Sequence, residues 1–306
     1  MKGSGTEAAD GPPDRHSFRL NGRSVVLDKR VHAARGDLAD VSLAGVLFSA
    51  HYARAVEMSC VIASAMVHVS EAVTSTCVTQ LLRGENFHVL DVTAEWAWGF
   101  CGHDGYVGYV RREALDKREI PDHRVTAQSA PIFAAPDIKS YILDYWPAGS
   151  RFGAVAENAE RGSFIACAEG YVHHRHVAPL DTLESDWVAV AERYLGQPYV
   201  WGGRGHGGLD CSGLVQVALG QCGLSVPRDT DLQRDGIGTP LADGDALRRG
   251  DLVFFPGHVG IMCDGERLLH ANAFWMATVI EPLADVIARL TPDHAPPIMA
   301  RRRIAQ

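Results

Sequence analysis

The chain has 306 residues, 46% hydrophobic and 22% charged, ordinary values for a globular protein long enough for two or three domains. Its formal charge of −8, with no basic block beyond Arg301, Arg302 and Arg303, argues against nucleic acid as a partner. Seven cysteines, an odd number without a C-x-x-C pair, do not match a disulfide framework or a structural zinc site, and reduced thiols point to the cytoplasm.

Residues 1–24 carry no apolar segment, so they read as a disordered N-terminus and not as a signal peptide. No apolar run reaches the roughly 18 residues of a membrane span. Residues 25–57 have weak periodicity and read as a lead-in that packs on the next domain. From 58 to 118, short β-rich runs at 59–62, 67–69, 78–82, 86–92, 96–100 and 106–110 alternate with glycine turns, the pattern of a small barrel. A second series over 119–181 has runs at 141–145, 152–156, 163–168 and 170–172. Gly105-Tyr106-Val107-Gly108-Tyr109-Val110 and Glu169-Gly170-Tyr171-Val172 read as the same closing strand, which indicates a diverged tandem repeat. His173, His174 and His176 follow; strand spacing puts His174 and His176 on one face, but no cysteine or carboxylate completes a metal site there, so no metal is expected.

Residues 182–306 form the third unit. A helix is expected over 185–195, with Trp187, Ala191, Tyr194 and Leu195 on one face and Ser185 or Asp186 as cap. Pro198 and the glycines from Gly202 to Gly208 interrupt the chain before Asp210-Cys211-Ser212-Gly213-Leu214. Leu214, Val215, Ala218, Leu219 and Cys222 then follow helical spacing with one buried face, capped by Asp210. Cys211 therefore falls at the first turn, where free N–H groups and the helix dipole favour a thiolate. A lone cysteine is more often structural; one held in a glycine loop with histidines downstream is a candidate nucleophile. His258 starts a strand after the Pro256-Gly257 turn and can serve as its base. His270, on the next antiparallel strand, can orient that imidazole.

Tyr199-Val200-Trp201-Gly202-Gly203, Asp210-Cys211-Ser212-Gly213-Leu214, Gly250-Asp251-Leu252-Val253-Phe254-Phe255, His258-Val259-Gly260-Ile261 and Leu269-His270-Ala271 occur in the order and spacing of the NlpC/p60 cysteine peptidases, which this chain resembles over about 186–290. The resemblance implies an α+β fold: a papain-like catalytic domain, here preceded by two small all-β barrels similar to bacterial SH3-like domains. It implies Cys211 as nucleophile, His258 as base and His270 as the polar third member, with no cofactor. Tyr199 and Trp201 are expected to wall the cleft, and Tyr199 to help hold the oxyanion.

The arrangement with two leading barrels resembles the γ-D-glutamyl-L-diamino acid endopeptidases, which cut murein peptides with a free N-terminal L-Ala. That resemblance implies a carboxylate and a tyrosine from the first barrel, matched by Glu71 and Tyr106, with Asp210 also binding the amine. Ser212, Asp229 and Thr230 are matched to the D-Glu portion. A buried ammonium needs anionic partners, and an acylated amine would leave them unpaired. A murein peptide is thus the expected partner, in cytoplasmic cell-wall peptide recycling, with neither nucleic acid nor membrane involved. Two alternatives stand beside it: a thiol amidase or acyltransferase on another acyl substrate, and a wall-peptide binding module built from the barrels.

Overall fold

The computed structural model describes residues 26–155, 163–205 and 207–304. The disorder expected at 1–24 concerns residues outside those described. Among the described residues, no helix is long and apolar enough to cross a membrane.

The lead-in forms a short parallel pair, Leu38–Asp40 with His51–Ala53. It packs on the first barrel through Ala33, which sits with Leu90 and Trp98. That barrel is a seven-stranded sheet in the order Cys77–Leu82, Ser64–His68, Val107–Arg111, Trp96–Cys101, Asn86–Val92, Val56–Cys60, Leu115–Lys117. Val67, Leu81, Phe87 and Val110 fill its interior. Alternation along 86–92 puts Phe87 and Val89 inside, and a bulge follows Val89. Gly99 lies opposite: a Cβ there would come within 1.9 Å of the His88 carbonyl oxygen, so the bend requires glycine.

The second barrel is built from two sheets. One runs Ile142–Pro147, Ser129–Phe133, Gly170–His173, Phe164–Cys167; the other Arg151–Phe152, His123–Val125, Val177–Pro179. They close on Ile132, Trp146, Phe152 and Val172. In both barrels the closing strand leads into a one-turn 3-10 helix, Arg112–Ala114 or His174–His176. A short strand then pairs with the barrel's opening strand. His174 and His176 therefore occupy a turn, not the strand face expected from their spacing.

In the third unit, α1 (Trp187–Glu192) is shorter than expected. Asp186 caps it, accepting from Val188 N and Ala189 N. The helix carrying the cysteine, α2 (Cys211–Gln221), packs on an antiparallel sheet ordered Thr239–Pro240, Ala300–Arg303, Asp251–Phe255, His258–Met262, Arg267–Asn272, Ala277–Pro282. Two shorter helices, α3 (Thr230–Gly236) and α4 (Leu283–Leu290), complete it. The spacing of α2 predicts one buried face, yet every residue but Gly220 is buried. The barrels cover its far side: Gln216 Nε2 donates to Asp104, and Gln221 Nε2 to the Val125 carbonyl.

Buried ion pairs join the first barrel to this unit. Arg204 donates to both oxygens of Glu85 at 2.7 and 3.0 Å. Arg228 binds Asp210 through both its terminal nitrogens and gives its Nε–H to Thr79. Planar guanidinium forks suit such two-point contacts. The first barrel is thereby fixed at the edge of the cleft.

Candidate active site

A cleft of about 470 Å³ opens where α2 begins, lined by Cys211, Tyr199, Trp201, Phe254, Phe255 and Tyr106 among others. Asp210, Ser212, Asp229 and Thr230 also reach it. The Cys211 sulfur lies against the backbone N–H groups of Ser212 and of Val259, the residue after His258. The tight turn at Pro256-Gly257, with Gly257 at φ 67°, returns the chain so that Phe255 pairs with His258.

Behind His258 runs a hydrogen-bonded chain. His258 Nε2 is 2.8 Å from His270 Nδ1, and His270 Nε2 is 2.8 Å from Glu281 Oε1. Arg289 also donates to Glu281 Oε1. Burial opposes the Glu281 charge, but Arg289, His270 and Trp275 hold its carboxyl below the ordinary value. An ionised carboxylate only accepts, so His270 must carry its proton on Nε2. Its Nδ1 is then an acceptor, which makes His258 Nε2 the donor. His258 Nδ1 is left with a free lone pair, the form a base requires.

The expected resting thiolate is not what this environment favours. Burial, with the Asp210 charge second, pushes the Cys211 thiol up to about 12 despite the two N–H groups. Burial, then His270 and Arg289, brings His258 down to about 3. A helix N-terminus contributes about 0.3–1 kcal/mol, and up to about 2 in favourable sites. Burying an unpaired charge costs several kcal/mol, so desolvation wins. Both shifts favour a neutral thiol and a neutral imidazole in the free site. Burial also raises the Tyr199 hydroxyl, which remains a proton donor.

A family model described as the NlpC/P60 family matches residues 196–282. A probable endopeptidase of Corynebacterium glutamicum is 30% identical over 156 residues, 50% of this chain and 71% of that protein. The chain belongs to the NlpC/P60 family. It is a cysteine peptidase. A second model, the bacterial dipeptidyl-peptidase SH3 domain, matches residues 71–115. The γ-D-glutamyl-L-lysine dipeptidyl-peptidase of Bacillus subtilis is 27% identical over 236 residues, 68% of this chain and 77% of that protein. A crystal structure of an NlpC/P60 family protein from Bacillus cereus superposes with a TM-score of 0.69, covering 82% of this chain and all of that one; at 18% identity it speaks to fold alone.

Within this NlpC/P60 peptidase, Glu71 needs correction. It lies exposed in the loop 69–76 and does not line the cleft; Val78, on the strand after that loop, does. Asp210 is also engaged differently from expectation. Its oxygens accept from Gly202 N at 2.9 Å, Gly213 N at 2.7 Å, and Arg228 at 2.9 and 2.6 Å. Its charge is spent on the helix cap and the buried arginine, not held free for a substrate amine.

Sequence reasoning missed Arg30, from the lead-in. This arginine lines the cleft and donates to Asp28, to Asp229 Oδ2 at 2.8 Å and to both oxygens of Asp231. Tyr106 Oη donates to the same Asp229 oxygen at 2.9 Å. It also missed Glu281, although strand pairing carried a signal. His270 pairs with Val279, and two residues on along the same face stands Glu281. As for metals, Cys101, His103 and Asp104 bring ligand atoms within 4.8 Å of one another. Burial holds the Cys101 thiol protonated, and Asp104 Oδ2 already accepts from Gln216 and faces His103 at 3.1 Å. The Asp104 carboxylate is thus already engaged, by Gln216 and by the close approach of His103.

Proposed function

We propose that this peptidase hydrolyses the γ-D-glutamyl-L-diamino acid bond of murein peptides with a free N-terminal L-Ala. The carrying observation is the bond from Tyr106 and Arg30 to Asp229, which brings the first barrel and the lead-in to the rim of the catalytic domain's cleft. A cleft walled by three parts of the chain suits a short peptide end better than the middle of a long strand. Around Arg30 stand three carboxylates, Asp28, Asp229 and Asp231. One guanidinium against three carboxylates leaves an excess of negative charge, a field that draws an ammonium. In this reading Asp229, steadied by Tyr106, meets the amine in place of Asp210 and Glu71, while Ser212 and Thr230 face the D-Glu portion.

Cys211 attacks the γ-carbonyl as His258 Nδ1 takes the thiol proton. The oxyanion is held by backbone N–H groups at the start of α2 and by the Tyr199 hydroxyl. The imidazolium passes its proton to the leaving amine of the diamino acid, the C–N bond breaks, and a thioester remains. Water, deprotonated by His258, attacks that thioester and releases Cys211 as thiol. His270 holds the base in its working tautomer. Trp201, 63% exposed, offers a flat apolar wall at the mouth. A role in recycling wall peptides in the cytoplasm accords with this chemistry.

The test is hydrolysis of L-Ala-γ-D-Glu-diaminopimelate, its N-acetylated form and intact sacculi by the purified chain. Cleavage of the free-amine peptide alone is expected. Equal turnover of the acetylated peptide would remove the amine requirement, and turnover of sacculi alone would replace the substrate.

A further inference from the structure

Where the two barrels meet the far side of α2 lies a second cavity, of about 480 Å³. It shares no lining residue with the catalytic cleft. Cys211 and Ser212 of α2 face the cleft; Gln216 and Gln221 of the same helix face this junction.

Two arginines on its wall, Arg124 buried and Arg151 exposed, form no ion pair among the described residues. Arg124 and Arg151 stand directly opposite each other in the antiparallel pairing of His123–Val125 with Arg151–Phe152, and both line the cavity. Like charges in that register repel. Arg124 is only 6% exposed; it donates to the Thr182 carbonyl, and its Nε is buried without a partner. Among the described residues, neither arginine has a carboxylate within ion-pair distance. Burial lowers the Arg124 pKa; the nearby Glu184 opposes this and Arg151 adds to it.

The nearby carboxylates are committed elsewhere. Glu57 holds Arg118 and Asn86, Glu85 holds Arg204, and Glu184 holds Arg193. Beside Arg124, the Gln221 side chain donates to Val125 O and leaves its Oε1 buried and unpartnered. Two guanidiniums and one amide acceptor form a complementary set for an oxyanion that carries one proton or hydroxyl.

We propose that this junction binds a small oxyanion, a phosphate or a carboxylate, between Arg124 and Arg151. The bound anion cancels the cross-strand repulsion and ties the second barrel to α2. It does so independently of the catalytic cysteine.

The test is thermal unfolding of the full chain titrated with inorganic phosphate, and separately with glycolate as the carboxylate arm. Chloride holds the ionic strength constant. A saturable rise in Tm is expected with phosphate, with glycolate or with both, and the arm that responds names the source. In Arg151→Gln the half-saturating concentration should rise at least about tenfold, the discrimination lost with one charge-assisted contact. Without added anion, Arg151→Gln should unfold at the same or a higher temperature than the parent, because one of two repelling charges is gone; a purely structural arginine would give a lower value. Cys211→Ala should keep the full anion response. No rise beyond chloride in either arm, or an undiminished rise in Arg151→Gln, overturns the proposal.

Discussion

Replacing Glu281 by glutamine keeps the shape of the group behind His270 and removes its charge. In the parent, one carboxylate accepts from His270, Arg289 and Trp275 at once. His270 and Arg289 both reach Oε1, so an amide oxygen kept there would accept from both without the charge, whereas the opposite orientation sets the NH2 against two donors. If the NH2 turns to His270, that ring must accept on Nε2 and donate from Nδ1. His258 then accepts on Nε2 and carries its proton on Nδ1, where it can no longer take one from a thiol. A hydrogen bond to a charged partner is worth about 1.5–3 kcal/mol. Expressed fully in the transition state, that is about a 10- to 150-fold loss of kcat/KM. The loss should fall on kcat, because Glu281 does not line the cleft. The pH profile supplies a second readout. Glu281 raises the His258 pKa, which burial nonetheless brings to about 3. Only neutral His258 can act as base, so the parent should hold its kcat/KM well below pH 6.5. Glu281→Gln should push the acid limb lower still while lowering the plateau. Initial rates between pH 2 and 9, with Tm measured alongside, check this. An unchanged plateau, or a loss wholly in KM with the acid limb unmoved, would refute the tautomer argument.

The raised Cys211 thiol implies alkylation by iodoacetamide that climbs about tenfold per pH unit from 7 to 9 without a plateau, followed by mass spectrometry of the Cys211 peptide; a plateau near neutrality would mean a preformed thiolate. Asp210→Asn should weaken the catalytic unit toward urea by about 3–5 kcal/mol, because Arg228 is left buried without its partner; unchanged unfolding with altered amine preference would restore Asp210 as an amine reader. Arg30→Ala should change KM for the free-amine peptide by no more than about fivefold, the scale of a half-exposed ion pair. Its kcat should change little, and a collapse of kcat would place Arg30 nearer the reacting bond than the structure does.

The placement of Cys211, His258 and His270 was legible because each is set by short-range structure. A cap and a glycine loop place Cys211, a two-residue turn places His258, and one hairpin register places His270. Those are the distances over which sequence patterns carry information. Arg30 lies 199 positions from Asp229 along the chain, in a segment without periodicity, and only the packed barrel brings the two together. Glu71 failed for a related reason: its match was counted through the loop 69–76, and a loop has no period to keep such a count in step. Asp210 was found but given the wrong partner, because its buried arginine comes from beyond the end of α2.

The same limit explains the misjudged helix and thiol. The pattern of α2 shows which residues are apolar, not what covers the polar ones. Gln216 and Gln221 look like solvent positions until Asp104 and the Val125 carbonyl are placed against them. Burial on all sides then works at both ends of one helix. At its start it favours a protonated sulfur on Cys211. Towards its end it removes water from Arg124, one of two opposed arginines, and leaves its Nε without a partner. A thiol kept neutral and a guanidinium nitrogen kept without a partner thus follow from one packing decision, and the iodoacetamide profile and the anion titration each examine one end of it.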